Sequence, residues 1–135
     1  MAEALELEVV TPERQVVREE TSEVQIPAKN GYLGVLPGHA PLLSQLGIGY
    51  LSYIVAGRRK YLSVHGGFVE VLPGRVRVLA DVAERAEEID VERARRAAQR
   101  AQDNLINPNI GVDPAVALAA LRRAETRIEV SEHKE

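Results

Sequence analysis

Apolar side chains recur at every second position through the first two thirds of the chain, and at every third or fourth position through the rest. Residues 5–9 read Leu, Glu, Leu, Glu, Val, so Leu5, Leu7 and Val9 share one face of an extended segment and Glu6 and Glu8 the other. That is the signature of a strand with one side in a core. The alternation returns at residues 15–18, 22–27, 50–55, 60–64, 67–72 and 75–80. Between these runs stand Thr11-Pro12-Glu13-Arg14, Lys29-Asn30-Gly31, Ala56-Gly57-Arg58-Arg59 and Pro73-Gly74. Proline presets one backbone angle of a turn and glycine reaches positive φ, so each insert predicts a reversal. Short strands with frequent turns predict an antiparallel sandwich or flattened barrel.

The pattern changes near residue 86. Beyond it glycine and proline nearly vanish, apart from the break Asn107-Pro108-Asn109-Ile110-Gly111 and Pro114. A first helix is predicted to start with Asp90 as N-cap and Glu92 in the positive first turn, carrying Val91, Ala94, Ala98, Ala101 and Leu105 on one face. A second starts at Asp113-Pro114, an N-cap followed by proline at the first helical position, and carries Ala117, Leu118, Leu121, Ala124 and Ile128. The short connection makes them an antiparallel hairpin. The predicted division is therefore a β-sandwich domain over residues 1–86 and a helical hairpin over 87–135. An alanine buries about one methyl group, about 0.8 kcal/mol, against about 1.5–3 kcal/mol for a full leucine or valine side chain. Alanine also has the highest helix propensity. A seam built from it predicts a hairpin that opens at low cost and stays helical when opened, although an ordinary two-helix cap has the same composition.

Composition narrows the function. The chain has 135 residues, 45% apolar and 27% charged, as in soluble globular proteins of one domain or a small domain with an appendage. Its 17 Lys+Arg and 20 Asp+Glu give a net charge of −3, which supplies no broad basic field for nucleic acid. There is no cysteine, hence no disulfide or thiolate nucleophile, in keeping with a reducing compartment. The start MAEALELEVV is acidic where a signal peptide is basic, and no run approaches the ~20 apolar residues of a membrane span. Membrane association is expected only through a partner.

Candidate chemistry is sparse. His39 and His65 lie in glycine-containing stretches read as turns, and His133 in the tail SEHKE, read as solvated. Nothing in their spacing assembles a metal site or a triad with an activated serine, so hydrogen-bonded turn histidines are expected. No GxxxxGK[ST] loop occurs, and Gly47-Ile48-Gly49 lacks the third glycine of a dinucleotide fingerprint. Residues 34–49, GVLPGHAPLLSQLGIG, combine stiffening proline and glycine with exposed-looking leucines, which favours a surface for another protein over a catalytic loop. Arg93, Arg96 and Arg100 fall at i, i+3 and i+7, and Arg123 and Arg127 at i, i+4. Such lines form an anion site when a folded hairpin brings them together, or a solvated face with pairs such as Glu92–Arg96. A free-standing ligand-binding module with a helical cap, using Tyr32, Tyr50, Tyr53, Tyr61 and Phe68 as a platform, is the alternative; only 4% of residues are aromatic.

Four stretches stand in the order found in one family: residues 10–14 (VTPER), 34–43 (GVLPGHAPLL), 66–71 (GGFVEV) and 89–94 (IDVERA). Over essentially its whole length the chain resembles the epsilon subunit of bacterial and chloroplast F-type ATP synthases. The resemblance implies a β-sandwich of about ten strands followed by two helices, in a non-catalytic part of the rotor stalk. It implies a sandwich bound to the gamma subunit and the c-ring, with Leu36, Pro37, His39, Leu42 and Leu43 at that interface. The hairpin would move between a compact state and an extended one that reaches the catalytic alpha/beta subunits and blocks ATP hydrolysis. Arg122, Arg123 and Arg127 would then meet an acidic patch on the beta subunit.

In some members of that family the compact hairpin binds ATP through the pattern I/L-D-x-x-R-A, matched here at Ile89, Asp90, Arg93 and Ala94. Glu84 corresponds to an upstream acid, and Arg100, Arg123 and Arg127 to the phosphate-binding arginines. No cofactor is required on this reading; a regulatory ATP needs no magnesium. The implied location is the cytoplasmic face of a bacterial plasma membrane, or the stromal face of a thylakoid if the source is a plastid, reached through the complex.

Overall fold

The structure, a computed structural model, describes residues 3–108 and 111–134. Eight strands come first: β1 (Leu5–Val10), β2 (Gln15–Thr21), β3 (Val24–Ala28), β4 (Gly31–Val35), β5 (Leu42–Gln45), β6 (Ile48–Val55), β7 (Arg58–Leu72) and β8 (Arg75–Arg85). A short 3₁₀ turn, Ala86–Glu88, leads into α1 (Val91–Ile106) and α2 (Pro114–Ser131). The strands run in the order β2-β1-β8-β7-β6-β3-β4, with β5 on β7. Every ladder is antiparallel except β1 on β8, where the first and last strands lie parallel. The sheet folds over so that β2 also meets β6. Leu5, Leu7, Val9, Ile26, Leu51 and Leu62 are among the residues sealed inside.

The sandwich followed by a helical pair is as predicted, and eight strands do the work of ten because two are long. Runs 60–64 and 67–72 are halves of one strand: β7 pairs with β6 over its first half and with β5 over its second. Between the halves, β7 and β8 turn over together without losing register, from His65↔Val82 to Gly67↔Ala80. Val64 and Ala83 before the corner and Val69 and Val78 after it thus all reach the core. The corner needs glycine. Gly66 and Gly67 have φ of +73° and +114°, and a Cβ on Gly67 would lie 2.1 Å from the Leu79 carbonyl oxygen. Strands β4 and β5 carry no clean alternation because most of their residues are exposed.

Both helix starts are as predicted. Asp90 accepts from the Arg93 amide at 3.1 Å, and Asp113 accepts from the Ala115 amide at 2.9 Å ahead of Pro114. Asn109 and Ile110 of the predicted break lie outside the described residues. The helix faces differ from expectation at their rims. Ala94 and Ala101 on α1 and Ala117, Ala124 and Val130 on α2 are buried, whereas Leu105 and Leu118 stay exposed. Two alanine stripes bring the helices so close that larger side chains are left at the edge.

Candidate functional site

The site lies where α2 covers the sandwich. On β7, Leu62 and Val64 point into the core, so Ser63 and His65 point outward; yet they are 0% and 5% exposed. What buries them is α2, which packs on β6 and β7 while α1 packs on α2. A small second core forms at this seam from Ala86, Ile89 and Val130, with Tyr50 and Tyr61 against it. Beside it the Arg127 Nε donates to Glu84 Oε1 at 2.6 Å, tying α2 to β8.

A cavity of about 250 Å³ opens next to that ion pair. One face of α1 supplies Arg93, Ala94, Ala97 and Arg100, Glu84 and Arg127 close one side, and Glu88 and Asp90 form part of the rim. The acids are already engaged: Glu84 by Arg127, Glu88 by Arg14 at 2.6 Å, and Asp90 by the helix start. Among the described residues no carboxylate pairs with the Arg93 or Arg100 guanidinium. The cavity therefore presents two guanidinium groups without a salt-bridge partner beside a third, Arg127, held by Glu84, and guanidinium groups of this kind pair well with phosphate oxygens.

Of the residues expected to bind ATP, the structure brings together Glu84, Asp90, Arg93, Ala94, Arg100 and Arg127. It separates two. Ile89 is buried in the small seam core, and Arg123 lies toward His65 rather than the cavity. Arg122 is exposed, so of the three basic residues expected to meet a partner only Arg127 is tied down by an ion pair. Glu88 and Ala97 line the cavity without having been expected; Ala97 follows Arg93 by one turn, and its small side chain leaves the space open. The expected Glu92–Arg96 pair is replaced by Glu92–Arg95 at 2.8 Å.

Two histidines are corrected. His65 is inside β7, not in a turn: its Nε2 lies 2.8 Å from Ser63 Oγ, and its buried Nδ1 has no partner. Burial, aided by the charges of Arg127 and Arg123, holds its pKa down to about 4. His133 is not simply solvated; it stacks on Tyr61 with ring centroids 3.8 Å apart. Tyr61 stacks on Tyr50 at 5.7 Å, and Tyr50 meets Tyr32 edge-on at 4.7 Å. Tyr53 is buried in the main core and Phe68 takes no part in this stack, so the five rings imagined as a platform for a free-standing ligand-binding module do not form one surface. His39 behaves as expected, its Nδ1 donating to the Ala40 carbonyl oxygen at 2.7 Å.

Two further surfaces bound the picture. A larger cavity of about 540 Å³ holds Arg14, Lys60 and Arg85, but these are engaged by Glu88, Glu19 and the Val16 carbonyl. Around the 34–49 stretch, Leu36, Leu42 and Leu43 are exposed, Leu43 at 71%, with Pro37 and His39 half-buried beside them. Phe68, paired across the ladder with Gln45 and Leu79, extends the apolar surface. Among the described residues no cluster of acids and histidines is placed to hold a metal, and no helix is long and apolar enough to cross a membrane.

This architecture has relatives. The family described as ATP synthase, Delta/Epsilon chain, beta-sandwich domain matches residues 4–86, and the accompanying long alpha-helix domain matches residues 87–132. The chain belongs to the ATP synthase delta/epsilon family. Among its members the ATP synthase epsilon chain of Solibacter usitatus is 63% identical over 134 residues, spanning 99% of this chain and all of that one. The epsilon chain of Nitratidesulfovibrio vulgaris is 47% identical over 130 residues, spanning 96% and 97%. A chain in the OSCP/F1/c-ring assembly of Euglena gracilis mitochondrial ATP synthase superposes with a TM-score of 0.81 at 26% identity, covering 96% of this chain and 82% of that one. A chain of the Tetrahymena thermophila mitochondrial ATP synthase central stalk and c-ring shares the fold, with a TM-score of 0.55 at 15% identity. The resemblance read from four short stretches thus holds for this epsilon-type chain end to end.

Proposed function

We propose that this epsilon-type chain is a non-catalytic rotor component of a proton-translocating ATP synthase, its sandwich seated on the gamma subunit and c-ring through the apolar surface around Leu36, Leu42 and Leu43. It works at the cytoplasmic face of the membrane through the complex. Its hairpin is a brake: docked on the sandwich it leaves the catalytic alpha/beta subunits free, and extended it presents Arg122, Arg123 and Arg127 to an acidic surface of the beta subunit. Release of Arg127 from Glu84 is part of that transition. ATP holds the docked state.

The observation that carries this reading is the cavity in the docked hairpin, where Arg93 and Arg100 stand without acidic partners beside Arg127. Its walls come from α1, α2 and the end of β8, so a nucleotide there binds only the docked arrangement. A ligand with that selectivity stabilises it by RT ln(1+[L]/Kd), about 2.7 kcal/mol at a hundredfold excess over Kd. Calorimetric titration of the full chain with ATP, with and without magnesium, tests it. Saturable heat is expected for the wild type, with affinity at least tenfold weaker in R93A/R100A and no dependence on magnesium. Equal heats from the wild type and the double variant would remove the clamp from this reading.

A further inference from the structure

We propose that His65 makes docking of the hairpin sensitive to protons: α2 seats only over a neutral imidazole, and mild acid releases it. This rests on the reading that the hairpin leaves the sandwich, and adds a second input to it.

The geometry carries the inference. His65 occupies an outward position on β7, where a strand residue of an uncovered sheet is wet, and it is buried only because α2 lies over it. With the helix in place the ring has one polar partner, Ser63 Oγ, and an Nδ1 sealed away from water. A neutral ring tolerates this, since one nitrogen bonds Ser63 and the other leaves only a lone pair unused. An imidazolium does not, because both nitrogens then carry protons and one has no acceptor.

The surrounding charges act the same way. From α2, Arg123 and Arg127 face the ring. From β6 its ladder partner is Ile48 and from β8 Val82, neither ionisable. Glu84, opposite Ser63, is held by Arg127, and Asp81 lies exposed beside Gly66 at the corner. A buried cation under two guanidinium groups, with the Glu84 carboxylate already paired, opposes closure.

The direction of the pH effect follows. The docked ring titrates near pH 4, and an uncovered imidazole near 6.5. Between those values the undocked state binds the extra proton, so docking is undiminished above about pH 6.5 and weakens as pH falls toward 4. At pH 5.5 the docking constant is expected to be about tenfold below its value at pH 7.5.

The absence of cysteine makes the test clean. In V130C, a thiol placed in the buried seam reacts with a small thiol reagent only when the hairpin undocks. Its rate, divided by that of an exposed E132C thiol at the same pH, gives the undocked fraction even when it is small. A roughly tenfold rise in that ratio from pH 7.5 to 5.5, abolished in V130C/H65Q, is the expected result. Glutamine keeps a polar contact for Ser63 and cannot titrate. E84R, which adds a third cation at the seam, is the reference for opening and should raise the ratio at every pH. An unchanged ratio in the wild-type background while E84R opens overturns the proton effect and leaves the mobile hairpin standing. A ratio unmoved by both pH and E84R overturns the mobile hairpin and the proton effect together. An equal rise with and without His65 assigns the effect to another group and overturns the proposal. Because H65Q can perturb packing, the imidazole is also titrated by NMR in the unmodified chain: a midpoint near 6.5, instead of well below it, overturns the proposal independently.

Discussion

Ile89, expected to contact a nucleotide, packs instead in the seam beneath α2. It sits in the family's nucleotide pattern, yet it is 5% exposed and packs with Ala86 and Val130 against Tyr50 and Tyr61. Truncating it to alanine deletes three carbons. At about 0.8 kcal/mol per buried carbon the transfer loss is about 2.4 kcal/mol, before any term for the cavity left behind. None of this falls on the main core, which is formed by other residues. The loss should therefore appear as easier local opening of the hairpin and not as lower stability of the sandwich. Amide exchange followed by segment reads the two separately, and about 2.4 kcal/mol corresponds to about a 60-fold loss of protection for amides whose exchange requires undocking. Strands β6–β8 should keep their protection. Equal losses in α2 and in the inner strands would show one cooperative unit, and the reasoning that treats the hairpin as separately releasable would be refuted.

Three more outcomes follow from the same structure. G67A drives a Cβ into the Leu79 carbonyl at a backbone angle that side chains rarely adopt, and should destabilise the sandwich by more than about 2 kcal/mol, read by chemical denaturation; a change under about 0.5 kcal/mol would contradict the corner. L43E alters a side chain that is 71% exposed, so its melting temperature should be unchanged while capture by a purified gamma subunit falls at least tenfold; unaltered capture would take Leu43 out of the interface. R122A/R123A/R127A in an assembled enzyme should relieve inhibition of ATP hydrolysis, and unchanged inhibition would end the assignment of those arginines to the beta subunit.

Much of this was legible along the chain, for reasons that differ by element. Strand β1 announces itself because one side is dry and the other wet, and α1 and α2 because an aspartate marks each start. Strands β4 and β5 are nearly silent, since edge strands with exposed side chains impose little periodicity. The cavity was readable through Arg93 and Arg100, which share a helix face, but not the choice between Arg123 and Arg127, which depends on how α2 rolls over the sheet. His65 was illegible for a related reason. Its glycine neighbours read as a turn between two strands, and even the outward position of a strand predicts exposure for a polar residue, which only the docking of a helix from elsewhere in the sequence reverses.

Strand β7 also has a mechanical side. Phe68, on the apolar surface, and His65, beneath the helix, are separated on one backbone only by the corner glycines Gly66 and Gly67. The two glycines are held in the corner by the ladders, with β6 and β8 pairing before it and β5 and β8 after it. A body gripping the apolar end is thus joined to the seat of the hairpin by a single ladder-held corner, and substitutions at Gly66 or Gly67 would disturb both ends at once.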